Sequence, residues 1–537
     1  MISGTSLPIR GVHIDCRAQM LRNDRLPSIL KDLARWGYNA ILLEYEDHFP
    51  YHGKLAPIAS DDALTLRQAR ELDRIAHDLG IQIIPLIQCL GHLTYVLRLP
   101  RFRRLTEGYP KAEPYAVCPA DPGSTRLFRE MAEQVLEVHP RSRYFHLGGD
   151  EVNLEAKCPR CRAAYGKIDM SERLINHYLE RADWIRSQGP DPILWGDLIM
   201  SHPQHRDRLR GHAVIMDWDY WSSTQPAPAP QVVWGMRYLP DVKPSNPETW
   251  PPESRKLFES SIFMQDGKSA RPFPYSKFLH EEGQAFMVAS SVRCSGDSFC
   301  VPAEPLHRNN VVGGMQAALG HRALGCVITS WSLRRSPWPL TEYPLIAGSL
   351  ALKNPNVSIQ AIDEAFAREH FGVADAALAQ IPLLLGTRVP TFLQTVARSD
   401  LKTNEWLALA FEKRLETARQ NLAASLGQLA TLRQNCARAE KLLGRARPRT
   451  ARQQERVALW RWAIRILAFY AEHGPLWLKG EKPAQSLAAM KPLVTLTRRV
   501  LSRIYTPSTV AEEIQARFGS LADYLEGRHA REGQVSG

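Results

Sequence analysis

RYFHLGGDEV, residues 143–152, reads as a short β-rich run that enters two glycines and ends on adjacent carboxylates, Asp150 and Glu151. Glycine turns tightly where other residues clash, so a strand is expected to stop here and open into a loop. Working outward, seven more apolar, β-rich runs occupy residues 9–15, 39–45, 81–87, 191–197, 212–219, 284–290 and 324–331. Amphipathic stretches lie between them, among them 25–37, 65–80, 124–138 and 172–189. Eight strands alternating with helices over about 320 residues predict an α/β fold, a (β/α)8 barrel of the TIM type. An open sheet would carry fewer strands and, commonly, a dinucleotide glycine fingerprint.

In such a barrel the chemistry gathers at the C-terminal ends of the strands. Those ends carry Asp15, Glu46 with Asp47, Gln88 to His92, Asp150 with Glu151, Asp197, Trp218 to Tyr220, and Trp331. Residues 220–283, rich in Pro, Ser and Trp, are expected to form an extended loop with some helix. Beyond the last barrel helix, near 341–352, the composition shifts to Ala, Leu, Arg and Gln. Residues 403–443 and 450–471 have the apolar spacing of long helices, separated by the RARPRT turn at 445–450. The expected organisation is a catalytic barrel over 1–352 followed by an all-α C-terminal domain over 353–537.

With 44% hydrophobic and 23% charged residues, disorder, collagen and a small disulfide scaffold are excluded. The net charge of +12 raises the question of an acidic partner. Residues 355–537 hold 26 Lys and Arg against 17 Asp and Glu, or +9, so the barrel is close to neutral. The arginines of the C-terminal third are interspersed with Glu and Gln and lack interleaved aromatics, so they read as a solvated face or a homodimer contact; no nucleic-acid partner is expected. No run approaches the ~18 apolar residues of a spanning helix, and the N-terminus lacks the pattern of a secretory signal. Nine cysteines at irregular positions form no disulfide framework. The expectation is a cytoplasmic protein with no membrane partner. Cys158-Pro-Arg-Cys161 has the spacing of half a zinc knuckle, but a structural site needs four ligands and no second C-x-x-C exists. The pair is therefore read as loop thiols, with a zinc site completed by distant Cys or His as the minority alternative.

Adjacent carboxylates on an extended backbone point to different sides, so Asp150 and Glu151 can sit in different environments, one ionised and the other holding a proton. At this point a resemblance becomes definite. YFHLGGDEV is similar to the H-x-G-G-D-E signature of glycoside hydrolase family 20, the β-N-acetylhexosaminidases. Arg10-Gly11 resembles the Arg-Gly that opens that family's barrel, EYEDHFPY (44–51) its acidic pair before Phe-Pro, and CLGHL (89–93) its Pro-Gly-His turn. ILWGD (193–197) and SWS (330–332) resemble its fifth- and eighth-strand tryptophan segments, and all these matches occur in the family's order.

The resemblance implies an exo-acting hydrolase of terminal β-linked GalNAc or GlcNAc that retains configuration through substrate assistance, one of the exceptions to the two-carboxylate glycosidase scheme. Glu151 would be the acid and base, and Asp150 would orient the acetamido group and offset the charge of an oxazolinium. Arg10 would bind sugar hydroxyls, Trp195 and Trp331 would wall the sugar, and Asp47 paired to His92 would hold the general acid. By position, Trp218 and Tyr220 either touch the sugar or plug the barrel mouth. His146 is a structural support or a substrate contact, and Asp197 a helix N-cap or a support of the acid. No metal and no organic cofactor are expected.

Two departures matter. Leu333 stands where the family carries an acid that reads O4 and O6, and the chain has no α/β domain ahead of its first strand. Both features resemble the family's shorter, intracellular hexosaminidase D type, which implies a leaning toward GalNAc. Two rival classes remain open: a metal-dependent barrel hydrolase using His13, Asp15, His92, His146 and Glu151, and a non-catalytic sugar- or nucleic-acid-binding protein.

Overall fold

The computed structural model describes residues 7–152, 158–166, 169–228, 250, 252–294, 297, 300–386 and 409–527. Its first part is a closed barrel of eight strands in sequential order. They are β1 Ile9–Asp15, β2 Ala40–Glu44, β3 Gln82–Leu86, β4 Tyr144–His146, β5 Asp191–Trp195, β6 Val214–Trp218, β7 Phe286–Arg293 and β8 Gly325–Ser330. All neighbours are parallel, and β8 returns to β1 with Gly325 opposite Ile9. Strands enclosed by helices outside and side chains inside are mainly apolar, and every residue of β2, β7 and β8 is buried, the polar ones lying toward the C-terminal ends. The interior is filled by Leu42, Ile84, Ile193, Met216, Met287 and Val327, capped toward the C-terminal end by Trp195 and Trp218.

β7 runs three residues past the expected 290, because an irregularity between Ser291 and Arg293 lets the strand continue against β8. The extension delivers the Arg293 guanidinium to Ser330, Gln19 and the Ser336 carbonyl. The 220–283 stretch contains two helices, Pro252–Ile262 and Pro274–Glu281; residues 229–249 and 251 lie outside the described residues.

The C-terminal part is helical. A barrel helix at Glu342–Lys353 is followed by helices that include Ile359–Phe371, Phe411–Ala423, Leu426–Leu443, Ala451–Lys479, Pro483–Leu501 and Pro507–Ile514. Of the helical pattern expected at 403–443, residues 403–408 lie outside the described residues. The remainder is two helices, parted where the Ser425 hydroxyl bonds back to the Asn421 carbonyl. The 450–471 pattern starts at a Thr450–Gln453 capping box, as its polar start demands, and runs on to Lys479 before Gly480 closes it. These helices grip the barrel mouth. Leu21, just past β1, bridges Tyr505; Gln19 donates to Glu513 at 3.3 Å; and Arg335, just past β8, reaches Glu513 at 2.7 Å. No helix among the described residues is long and apolar enough to cross a membrane.

Candidate active site

The site is built around the turn that ends β4. Gly148 and Gly149 have φ of +66° and +88°, and a Cβ on Gly148 would fall 1.8 Å from Gln88 Oε1, so only glycine fits there. The close approach allows Gln88, past β3, to accept from the Gly149 amide at 3.4 Å while its own amide donates to Glu44 at 3.5 Å. Tyr178 donates to the Gly149 carbonyl at 2.6 Å, and Asp197, past β5, accepts from the Glu151 amide at 3.0 Å. Glu151, His92 and Glu46 hold left-handed backbone conformations, φ +50°, +53° and +49°. Such conformations are costly for non-glycine residues and persist where the surroundings over-determine them.

Electrostatics separate the carboxylates. Burial pushes Asp150 up, but His92, with Nε2 3.3 Å from Oδ2, outweighs it by charge and hydrogen bond and holds Asp150 below its usual value. Burial likewise pushes His92 down, and Asp150 with Glu151, 3.8 Å away, more than reverse this, so the imidazole is raised. Asp150 keeps one buried oxygen, Oδ1, without a hydrogen-bond partner. The Tyr115 hydroxyl lies 3.0 Å from His92 Nε2 and donates to the Glu151 carbonyl at 3.2 Å. Burial, with Asp150's charge second, pushes Asp197 up to about 7, while its Oδ1 accepts from Trp218 Nε1 at 3.2 Å. Burial pushes His146 down to about 3; its Nδ1 accepts from Gly148 at 2.9 Å, which places the proton on an unpartnered Nε2.

Aromatic rings close one side. His146 and Trp195 lie 4.4 Å apart by ring centroids, Trp195 and Trp331 6.0 Å, Tyr220 and Trp331 6.4 Å, and Trp218 stacks on Tyr220 at 5.1 Å. Trp331 is half-buried, and Trp195, Trp218 and Tyr220 are buried. The rings form a continuous apolar wall from the end of β4 to the end of β8, facing a mouth rich in carboxylates.

The structure thus brings Asp150, Glu151, His92, His146, Trp195, Asp197, Trp218, Tyr220 and Trp331 together. Asp197 is the first residue of the short helix Asp197–Ser201, with Gly196 at the cap position, and so is not the N-cap itself. Arg10 is not brought to the site. It lies at the start of β1, where its guanidinium donates to the Gly37 and Leu7 carbonyls at 2.8 Å each, at the opposite end of the barrel. The expected Asp47–His92 holding arrangement takes another form: Asp47 accepts from Arg98 at 3.3 Å, while His92 directs Nε2 at the acidic pair.

The cation missed by sequence reasoning is Arg17. It stands 3.2 Å from Asp15 and 3.8 Å from Glu46, with its guanidinium 5.6 Å from the Trp331 ring centre. Its position two residues past a strand end was the available signal. Tyr115 comes from a long irregular loop and offered none. Burial, relieved in part by Arg17, pushes Glu46 well above its ordinary value. Among the described residues, three groups are close enough to hold a cation: His92 with Asp150 and Glu151, Cys294 with Asp297 and His307, and Glu107 with Cys118, Cys158 and Cys161. In the second, His307 is already bonded to Asp297 at 2.8 Å.

Residues 10–232 match the sequence model of glycosyl hydrolase family 20, catalytic domain. Hexosaminidase D of Homo sapiens is 28% identical over 227 residues, 41% of this chain and 46% of that protein. Hexosaminidase D of Bos taurus is 30% identical over 221 residues, 40% of this chain and 63% of that protein. The chain therefore spans about half to under two thirds of these relatives' lengths. A β-N-acetylhexosaminidase from Bacteroides fragilis superposes with a TM-score of 0.45 at 15% identity, covering 64% of this chain and 65% of the other.

Proposed function

We propose, from the family 20 catalytic domain carried by residues 10–232, that the protein is an exo-acting β-N-acetylhexosaminidase. The observation that carries this reading is Asp150: an ionised carboxylate with a buried, unpartnered Oδ1, next in sequence to Glu151. An oxygen in that state is an acceptor awaiting an N–H, and the 2-acetamido group of an amino sugar supplies one. With the acetamido N–H held there, its carbonyl oxygen is turned toward the anomeric carbon, and attack closes an oxazolinium ring as the glycosidic bond breaks. Asp150 offsets the charge that develops on the ring. Glu151 protonates the departing oxygen and then takes a proton from the water that opens the ring, restoring the original configuration. His92 holds Asp150 ionised, Asp197 fixes the Glu151 backbone, and Trp195, Trp218, Tyr220 and Trp331 cover the apolar sugar face.

Arg17 takes the hydroxyl-reading role in place of Arg10, because its guanidinium lies 5.6 Å from the ring centre of Trp331. Leu333, in the short helix Ser332–Arg334 beside Trp331, offers no side-chain acceptor to O4 or O6, so both epimers are accepted, and the leaning toward GalNAc rests on the resemblance to the hexosaminidase D type. The catalytic unit is 1–352 and the helical unit 353–537, acting in the cytoplasm on a small glycoside or glycan end. The test is a panel of nitrophenyl β-glycosides with and without the 2-acetamido group. Turnover of β-GalNAc and β-GlcNAc, with plain β-galactosides and β-glucosides at least a hundredfold slower, is expected. Comparable rates on both kinds would overturn the substrate-assisted reading, and a metal ion that is required for turnover and is lost in Glu151→Gln would favour a metal hydrolase.

A further inference from the structure

Cys158 and Cys161 begin the short helix after the catalytic turn, and the fold brings two more donors to them from the connection between β3 and β4. Cys118 Sγ lies 3.6 Å from Cys158 Sγ and 3.5 Å from Cys161 Sγ. Glu107 Oε2 lies 3.6 Å from Cys161 Sγ. All four donor atoms fall within 4.8 Å of one another. Zinc–sulfur bonds of about 2.3 Å in a tetrahedron place sulfurs about 3.8 Å apart, and a carboxylate oxygen about 3.5 Å from each sulfur. The spacing matches that polyhedron and is far from the ~2.05 Å of a disulfide.

Two further features point to a ligand. Glu107 Oε1 is buried without a hydrogen-bond partner, an expensive state for a carboxylate with no cation to face. The three cysteines also form their own small buried cluster with Ala120 and Tyr165, apart from the main core, where apolar packing alone gives little cohesion. Arg160, inside the Cys-Pro-Arg-Cys segment, is anchored to the Arg104 and Thr106 carbonyls and to Asp121. Its guanidinium, paired with Asp121, is thereby fixed beside the thiols.

We propose that Glu107, Cys118, Cys158 and Cys161 form a tetrahedral structural zinc site that staples the β3–β4 connection to the segment following Glu151. Soft thiolates in tetrahedral array select zinc over hard cations, and closure by four protein ligands leaves no position for substrate. Binding releases the thiol protons as thiolates form. The staple acts on the active site by position: Tyr115, three residues before Cys118, is the residue whose hydroxyl touches His92 and the Glu151 carbonyl.

The test uses the full chain, produced with zinc in the medium and gel-filtered, with metal content measured by mass spectrometry. About one zinc per chain is expected, falling at least tenfold in Cys118→Ser and in Cys161→Ser and unchanged in Glu151→Gln. Chelator-treated wild-type protein titrated with cobalt(II) should develop the near-ultraviolet thiolate-to-cobalt charge-transfer band, so the result stands even where a cysteine variant fails to fold. Wild-type protein with under about a tenth of a metal ion per chain and no cobalt band overturns the proposal. So does metal that survives both cysteine variants and is lost in Glu151→Gln, which places the ion at the acidic pair.

Discussion

Two regions of this molecule bury carboxylates, and they treat them in opposite ways. In the helical part, Glu513 is fully buried between Arg335 and Arg517. Burial pushes its pKa up, but the two arginines outweigh burial and hold it below its ordinary value. At the barrel mouth, Asp15, Glu44, Glu46, Asp47, Asp150 and Asp197 are buried near Arg17 and His92. Asp197 is pushed up to about 7, and Glu46 well above its ordinary value. Paired charges of the first kind fix one structure, while a surplus of one sign leaves protons to be moved and acceptors to be filled.

Breaking the mouth should cost most. Glu151→Gln is expected to lower kcat on nitrophenyl β-GalNAc by about 10³-fold or more, and Asp150→Asn by about 10²–10³-fold, with the circular dichroism spectrum unchanged. Activity within tenfold of wild type in Glu151→Gln would remove this residue as the acid. Breaking the paired cluster should act on stability: Arg335→Met leaves Glu513 with one arginine, and urea unfolding should show a loss of about 3 kcal/mol. A loss under about 0.5 kcal/mol would mean that the pair does not anchor the helical part.

Within the barrel, Arg17→Ala should raise KM at least tenfold, whereas Arg10→Ala, at the far end, should leave KM within twofold. The opposite ranking would return the hydroxyl-reading role to Arg10. A further effect is on pH. The folded pKa of Asp197 is about 7 and its unfolded value about 3.8, so between these the native state keeps a proton that the unfolded chain has released. Its contribution is complete below about 3.8 and is lost as pH rises through 7, with a slope near 1.4 kcal/mol per unit. Asp197→Asn should flatten the stability profile between about pH 4 and 7; an unchanged slope would assign the shift elsewhere.

The barrel was legible because each strand, enclosed on both faces, is a short and mainly apolar run, and eight such runs alternating with amphipathic stretches stand out without any tertiary information. The acidic pair could be singled out as a candidate only with its neighbours, because a Gly-Gly-Asp-Glu string by itself also occurs in turns and helix starts. Arg10 and Arg17 show where this fails. The motif likeness fell on the first, but the direction of β1 places Arg10 at the barrel floor and carries Arg17 to its mouth. Tyr115, Glu107 and Cys118 lie on an irregular connection, where no period relates position to orientation, and only the closed barrel reveals that they meet residues after β4. For the same reason the two cysteines at 158 and 161 read as an isolated pair in one dimension.

The grip of the helical part on the mouth bears on how the molecule is made. When the last barrel strand has been synthesised, the segment after β1 that carries Gln19 and Leu21 still lacks its partners, Tyr505 and Glu513. About 175 further residues must emerge from the ribosome before those contacts can form. Domains tend to fold as they appear, so the nascent chain holds a closed barrel with an unsecured rim, and the rim is secured only once the helices that carry Tyr505 and Glu513 have followed.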